Sequence, residues 1–201
     1  MAEHRISTIH RSTGETSVKL ILEIDGSGVS QISTGVASLD HFLTLFSRHR
    51  QFDLTIEASG DLAIDAHHTV EDIGICLGQA IRQALGDHKG IRRTADIAAP
   101  MDEALAHVAV DCGGRGYFVQ RNPFVEGAIG SLDTDLVRHF FETMAFEARI
   151  NLHIVTLYGS NAHHQVEAVF KAFARALDAA TMIDNRLEGR LPSTKEHIEQ
   201  A

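Results

Sequence analysis

The chain has 201 residues, of which 44% are hydrophobic, and a formal net charge of -9 at neutral pH. That is enough apolar material to bury a substantial core; the acidic balance leaves no basic footprint for nucleic acid, and no apolar run approaches the ~18 residues of a membrane span. The polar N-terminus lacks a signal-peptide pattern, and two cysteines outside any C-x-x-C spacing, Cys76 and Cys112, suit a reduced, cytoplasmic protein with structural thiols.

In chain order, Val18, Leu20, Leu22 and Ile24 alternate as a half-buried strand does and stop at the turn Asp25-Gly26. His41-Phe42 opens a helical stretch, and Phe52, Leu54 and Ile56 alternate again. Asp65, a good helix N-cap, stands two residues ahead of His67-His68-Thr69-Val70-Glu71, and Ile73, Leu77, Ala80, Ile81 and Ala84 then form the buried stripe of a helix. Gly86 to Pro100 is the natural seam. Beyond it the order repeats: Ala106, Val108 and Val110 alternate before Asp111 and Gly113-Gly114, His139-Phe140 opens a helix, and Ile150, Leu152 and Ile154 alternate. Asn161 then precedes His163-His164-Gln165-Val166-Glu167, with a stripe at Val169, Phe173, Ala176, Leu177 and Ala180. The pattern predicts an internally duplicated α+β fold, with one half over residues 1–90 and the other over 91–201.

The doubled His-His-x-Val-Glu motif is the strongest chemical signal. On a helix, residues three or four apart share a face, so each glutamate can join one of its histidines around an ion, whereas adjacent histidines diverge by about 100° and should serve different ions. Mixed imidazole and carboxylate donors favour Mn, Fe, Co, Ni or Zn over Ca. His41 and His139 occupy matching places and complete a set of eight candidate ligands with His67, His68, Glu71, His163, His164 and Glu167. Divided over two ions, four protein ligands each would leave two octahedral positions for water or substrate, which suits catalysis better than structural closure. The other histidines, His4, His10, His49, His88, His107 and His197, read as surface or satisfied core residues, and His153 as a candidate donor packed beneath the site.

Several stretches together resemble the imidazoleglycerol-phosphate dehydratase family: Arg11-Ser-Thr-Gly-Glu15-Thr, Thr34-Gly-Val-Ala-Ser-Leu-Asp40-His41, Gly60-Asp-Leu-Ala-Ile-Asp65 with the first motif, Pro100-Met-Asp102-Glu103, Asn161 with the second motif, and Pro192-Ser193-Thr-Lys195. The resemblance runs from about residue 4 to 196. It implies two half-domains of the ribosomal protein S5 domain 2 type, two Mn2+ ions per active site, and a homo-oligomer of 24 subunits built from trimers, with active sites at subunit interfaces. It also implies removal of water from imidazole glycerol phosphate to give imidazole acetol phosphate in histidine biosynthesis. A metal on the substrate ring would favour the imidazolate, whose electrons help expel hydroxide from a carbon chain that has no carbonyl to acidify it.

By the same resemblance Glu15 is the candidate general acid/base, and the catalytic set is Glu15, His41, His68, Glu71, His164 and Glu167. Arg93, Arg115, Ser193 and Lys195 are expected to bind the phosphate, as guanidinium, ammonium and hydroxyl donors do, with Lys171 near the site and both Lys171 and Glu15 among the substrate-binding residues. The chain departs from the family pattern at Leu45, at Thr94-Ala95, at Gly116 and at Glu196. Leu45 is expected to remove a polar contact, Gly116 to loosen the backbone that aims Arg115, and Glu196 to set a negative charge beside the anchor. Two other readings stay open at this point: a divergent metal enzyme acting on another azole or phosphate, and a non-catalytic shell assembled by metal.

Overall fold

In the computed structural model, which describes residues 4–195 and 197–198, each repeat begins with an antiparallel pair of strands and ends with its His-His helix. The first repeat runs β1 (Ile6–Ser12), β2 (Thr16–Glu23), β3 (Ser30–Ser33), α1 (Ala37–Arg50), β4 (Asp53–Gly60) and α2 (His67–Leu85). The second runs β5 (Thr94–Met101), β6 (Ala104–Asp111), β7 (Tyr117–Arg121), a short hairpin of β8 (Ala128–Ile129) and β9 (Leu132–Asp133), then α3 (Thr134–Ala148), β10 (Asn151–Tyr158) and α4 (Ala162–Thr181). The sheets have the same topology, β1-β2-β4-β3 and β5-β6-β10-β7, and in each the third strand of the repeat pairs parallel with the fourth across its helix. The seam is not a bare connection: its second half is β5, an edge strand, which is where Pro100 can sit without breaking a ladder.

The alternation read from sequence sets the inward faces. Val18, Leu20 and Leu22 of β2 and Ala106, Val108 and Val110 of β6 are buried, and Lys19 and His107 between them point outward. Helix α2 lies on β1 and β2 and α4 on β5 and β6, while α2 also packs on α3 and α1 on α4. The helices are thus held between the two sheets, and one continuous core joins both repeats.

The two helix pairs close differently. A Cβ on Gly78 of α2 would lie 2.5 Å from the Met144 carbonyl oxygen of α3, so that crossing depends on a residue without a side chain. At the matching positions in the second motif helix, Phe170 and Ala174 replace Gly74 and Gly78. Phe42 of α1 stacks on Phe170 at 5.3 Å and Phe46 on Phe173 at 5.5 Å. Each such fully buried ring contributes roughly 1.5–3 kcal/mol of transfer free energy.

Candidate metal centre and phosphate cleft

Both motifs sit in the first turns of their helices, but they are capped differently. Asn161 is the N-cap of α4 and accepts from the His163 and His164 amides. The residue before α2 is Ala66, and Asp65 accepts the His67 amide at 2.7 Å from one position further out.

The candidate ligands cross between repeats. His41 on α1 joins His163 and Glu167 on α4, its Nε2 lying 3.4 Å from Glu167 Oε2 and the His163 Nε2 3.3 Å from the same oxygen. His139 on α3 joins His67 and Glu71 on α2, with its Nε2 3.1 Å from Glu71 Oε1. The ring planes of His41 and His163 meet at 31°, and so do those of His67 and His139. Within each trio the donor atoms lie within 4.8 Å of one another, so two imidazoles and a carboxylate converge on a space fit for a first-row transition ion.

His68 and His164 stand apart from both trios. Each ring is nearly perpendicular to that of its neighbour, at 80° to His67 and 85° to His163. Each is held through Nδ1 by a carboxylate, Asp61 at 2.9 Å for His68 and Glu103 at 2.6 Å for His164. These hydrogen bonds raise both histidines above the ordinary imidazole value. Glu103 also accepts the Ser160 and Asn161 amides and is lowered to about 2, first by His164 and then by those amides. Glu15, on the β1–β2 turn, brings Oε2 to 3.7 Å from His68 Nδ1. That turn is tied to α2 by Asp72, buried at 6% exposure, which takes Arg11 at 2.8 Å and the Thr16 hydroxyl.

Of the phosphate candidates, Arg93, Arg115, Ser193 and Lys195 line one cleft of about 310 Å³, together with His197. Arg93 is already engaged. Its Nε and Nη2 donate to Asp111 at 2.7 and 3.0 Å, and its Nη1 donates to the Pro192 carbonyl at 3.0 Å. Lys171 lies elsewhere, with Nζ 2.5 Å from Glu167 Oε1 and 3.2 Å from Met101 Sδ. Burial alone would raise the Glu167 carboxyl, but Lys171, His41 and His163 outweigh it and hold the group below its ordinary value.

Of the remaining expectations, some hold and some need adjustment. His153 points outward from β10, facing Asn151, Asp96 and Asp111 on the outer sheet face, so it does not support the site from below. Leu45 packs against the core, and Gly116 is closely packed rather than loose: a Cβ there would meet Phe146 Cα at 2.8 Å. Glu196 lies outside the described residues. His88 is a satisfied core residue, its Nδ1 3.0 Å from the Cys112 carbonyl oxygen. Asp61, Asp102 and Glu103 are neighbours of the outward histidines that the motif did not single out. The signal available for them was their place in the stretches Gly60–Asp65 and Pro100–Glu103 that carry the resemblance.

The family model described as imidazoleglycerol-phosphate dehydratase matches residues 34–177. An imidazoleglycerol-phosphate dehydratase of Chloroflexus aurantiacus is 60% identical over 95% of this chain and 93% of its own, and one of Geobacillus kaustophilus is 55% identical over 95% and 97%. Among solved structures, the Staphylococcus aureus dehydratase superposes with a TM-score of 0.81 at 39% identity, covering 89% of this chain and 99% of that one. The Pyrococcus furiosus protein, solved in complex with (S)-C348, gives 0.80 at 34% identity over 94% and 100%.

Proposed function

Since the chain belongs to the imidazoleglycerol-phosphate dehydratase family, and so is a hydro-lyase that removes water from imidazole glycerol phosphate in histidine biosynthesis, we propose that it does so with two Mn2+ ions per active site. His41, His163 and Glu167 hold one ion, and His67, Glu71 and His139 hold the other. His68 and His164, turned away from the trios of their own chain, serve as the fourth ligands of trios on neighbouring subunits. The active sites then lie at interfaces of a homo-oligomer, a 24-mer in the cytoplasm, and residues 1–90 and 91–201 are its two repeats.

The equal construction of the two trios carries this reading: each pairs rings at 31° beside one carboxylate, and among the described residues each groups as three donors while a carboxylate-held histidine points elsewhere. When bound, such ions supply Lewis acidity toward the imidazole and hydroxyl of the substrate. The chain's own residues do the rest. Arg115, Ser193 and Lys195 orient the phosphate through charge-assisted hydrogen bonds, and Arg93 fixes the backbone of that cleft at Pro192. Glu15, exposed beside His68, receives and returns a proton on the carbon chain as water leaves and the enol becomes the ketone.

Turnover of imidazole glycerol phosphate after chelation and re-addition of Mn2+, followed as ketone product, tests the proposal. Mn2+ should restore activity, and His68→Ala or His164→Ala should abolish it in a folded chain. Near-full turnover by both variants with unchanged metal content would overturn the ligand assignment.

A further inference from the structure

The two trios are alike in their ligands and unlike in what surrounds them. Glu167 has one oxygen turned to His41 and His163 and the other taken by Lys171, whose side chain is only 16% exposed. In the first motif helix the matching position is Ile75, so Glu71 has no such partner on its own helix. The difference continues outward. Arg175 on α4 corresponds to Gln79 on α2, and His49 and Arg50 at the end of α1 correspond to Glu147 and Ala148 at the end of α3. Taking histidine as neutral, α1 and α4 carry Arg48, Arg50, Lys171 and Arg175 against Asp40, Glu167 and Asp178, a small basic excess. Helices α2 and α3 carry only Arg82 and Arg138 against Glu71, Asp72, Asp135, Glu142 and Glu147.

A divalent cation meets these two environments differently. At the first trio it adds to a net negative surrounding. At the second it approaches a carboxylate whose charge is already shared with an ammonium 2.5 Å away, and charges this close and partly shielded from water interact strongly. We propose that the two ion sites are unequal, the His41–His163–Glu167 site being the weaker and the first to empty because Lys171 holds Glu167 within a cationic helix pair. This rests on the ligand assignment above.

Titration of metal-free protein with Mn2+, read by calorimetry and by the electron paramagnetic resonance of free ion, should resolve two classes of site at least about 10-fold apart in affinity. Lys171→Gln should tighten the weaker class by about 10-fold or more, because it removes a unit positive charge from beside the ligand carboxylate, and Lys171→Arg should leave it weak. A single class in the unaltered protein, or a weaker class that Lys171→Gln leaves unchanged or weakens further, overturns the proposal. His41→Ala and His139→Ala keep it apart from the ligand reading: each should delete one class, His41→Ala the weaker. If each deletes a class and the two are of equal affinity, the ligands stand and the inequality falls; if neither deletes a class, the ligand assignment itself fails.

Discussion

Helix pairs α2/α3 and α1/α4 present the same trio of donors from differently built supports. The first pair brings two backbones together across Gly78; the second keeps them apart with stacked phenylalanines at Phe42–Phe170 and Phe46–Phe173. Both nevertheless set two imidazole planes at 31° beside a glutamate. What the chemistry requires is the relation between one residue on a donor helix and an i, i+4 pair on a motif helix. Quite different packing can supply it, and the spare freedom is spent on charge.

The sharpest way to break this equivalence is to remove the crossing ligand on either side. His139→Ala and His41→Ala should each lower turnover by on the order of 100-fold or more, beyond the usual effect of residues that only support a ligand. Metal analysis should find each variant short of one ion per chain; a variant that keeps both ions and its activity would end the idea that the trios are equivalent parts of the site.

The proposed phosphate cleft has no such twin among the described residues, because it is lined entirely by residues from the second repeat, Arg93 to Ile198. Arg115→Ala should therefore raise KM by about 2–4 kcal/mol in binding terms with metal content unchanged. Arg93→Ala should raise it less, since the Arg93 guanidinium is committed to Asp111 and Pro192. Steady-state kinetics on the two variants decides the order, and a larger effect at Arg93 would mean that substrate displaces its internal partners.

Packing offers a smaller but cleaner contrast. Gly78→Ala should destabilise the fold by about 1–3 kcal/mol, because the new methyl group forces α3 outward. Ala174→Gly at the matching place on α4 should cost about 1–2 kcal/mol, from helix propensity and one buried methyl group, with no displacement of α1. Denaturant melts compare them directly, and equal losses would show that the glycine crossing carries no special constraint.

Acid sharpens the comparison last. Ligation needs neutral imidazole, so ion-dependent stability should be present at neutral pH and fade as pH falls below the free value of about 6.5. Without metal the sign reverses for His68 and His164. Their raised values make the pairs with Asp61 and Glu103 a contribution that is full below that value and lost as pH rises through the raised ones. Thermal melts against pH, with Mn2+ and with chelator, should slope in opposite directions, and light scattering should find the assembled particle reduced to smaller species at pH ~5 or in chelator. A particle that stays whole after verified metal removal would show that ions do not bridge the subunits.

Much of the site could be read from the chain because its chemistry is local. Two histidines and a glutamate one turn on are a helix-surface pattern, and the divergence of adjacent rings follows from 3.6 residues per turn. The long alternating strands β2, β4, β6 and β10 were legible for the same reason. Strands β1, β3, β5 and β7 were not: β3 has one apolar residue in Ser30-Gln-Ile-Ser33, and on β5 the inward Ala95, Ile97, Ala99 and Met101 are blurred by the outward Ala98 and Pro100 between them. The crossing of His41 and His139 to the opposite repeat was hidden because periodicity fixes a face and never its partner. The resemblance points Arg93 at the phosphate and sets Lys171 near the site, and only their neighbours Asp111 and Glu167 reveal what each is bonded to within the chain.

The crossed donation has a consequence for how such a chain could arise. One repeat alone owns a donor helix and a motif helix, and in this geometry they serve different trios. A lone ancestral repeat would have completed a trio only against a second copy of itself, giving two identical centres related by a twofold axis. Fusing the copies into one polypeptide makes that pair permanent and releases it from symmetry, after which a lysine could enter one motif helix and a glycine the other without either change being repeated in its twin.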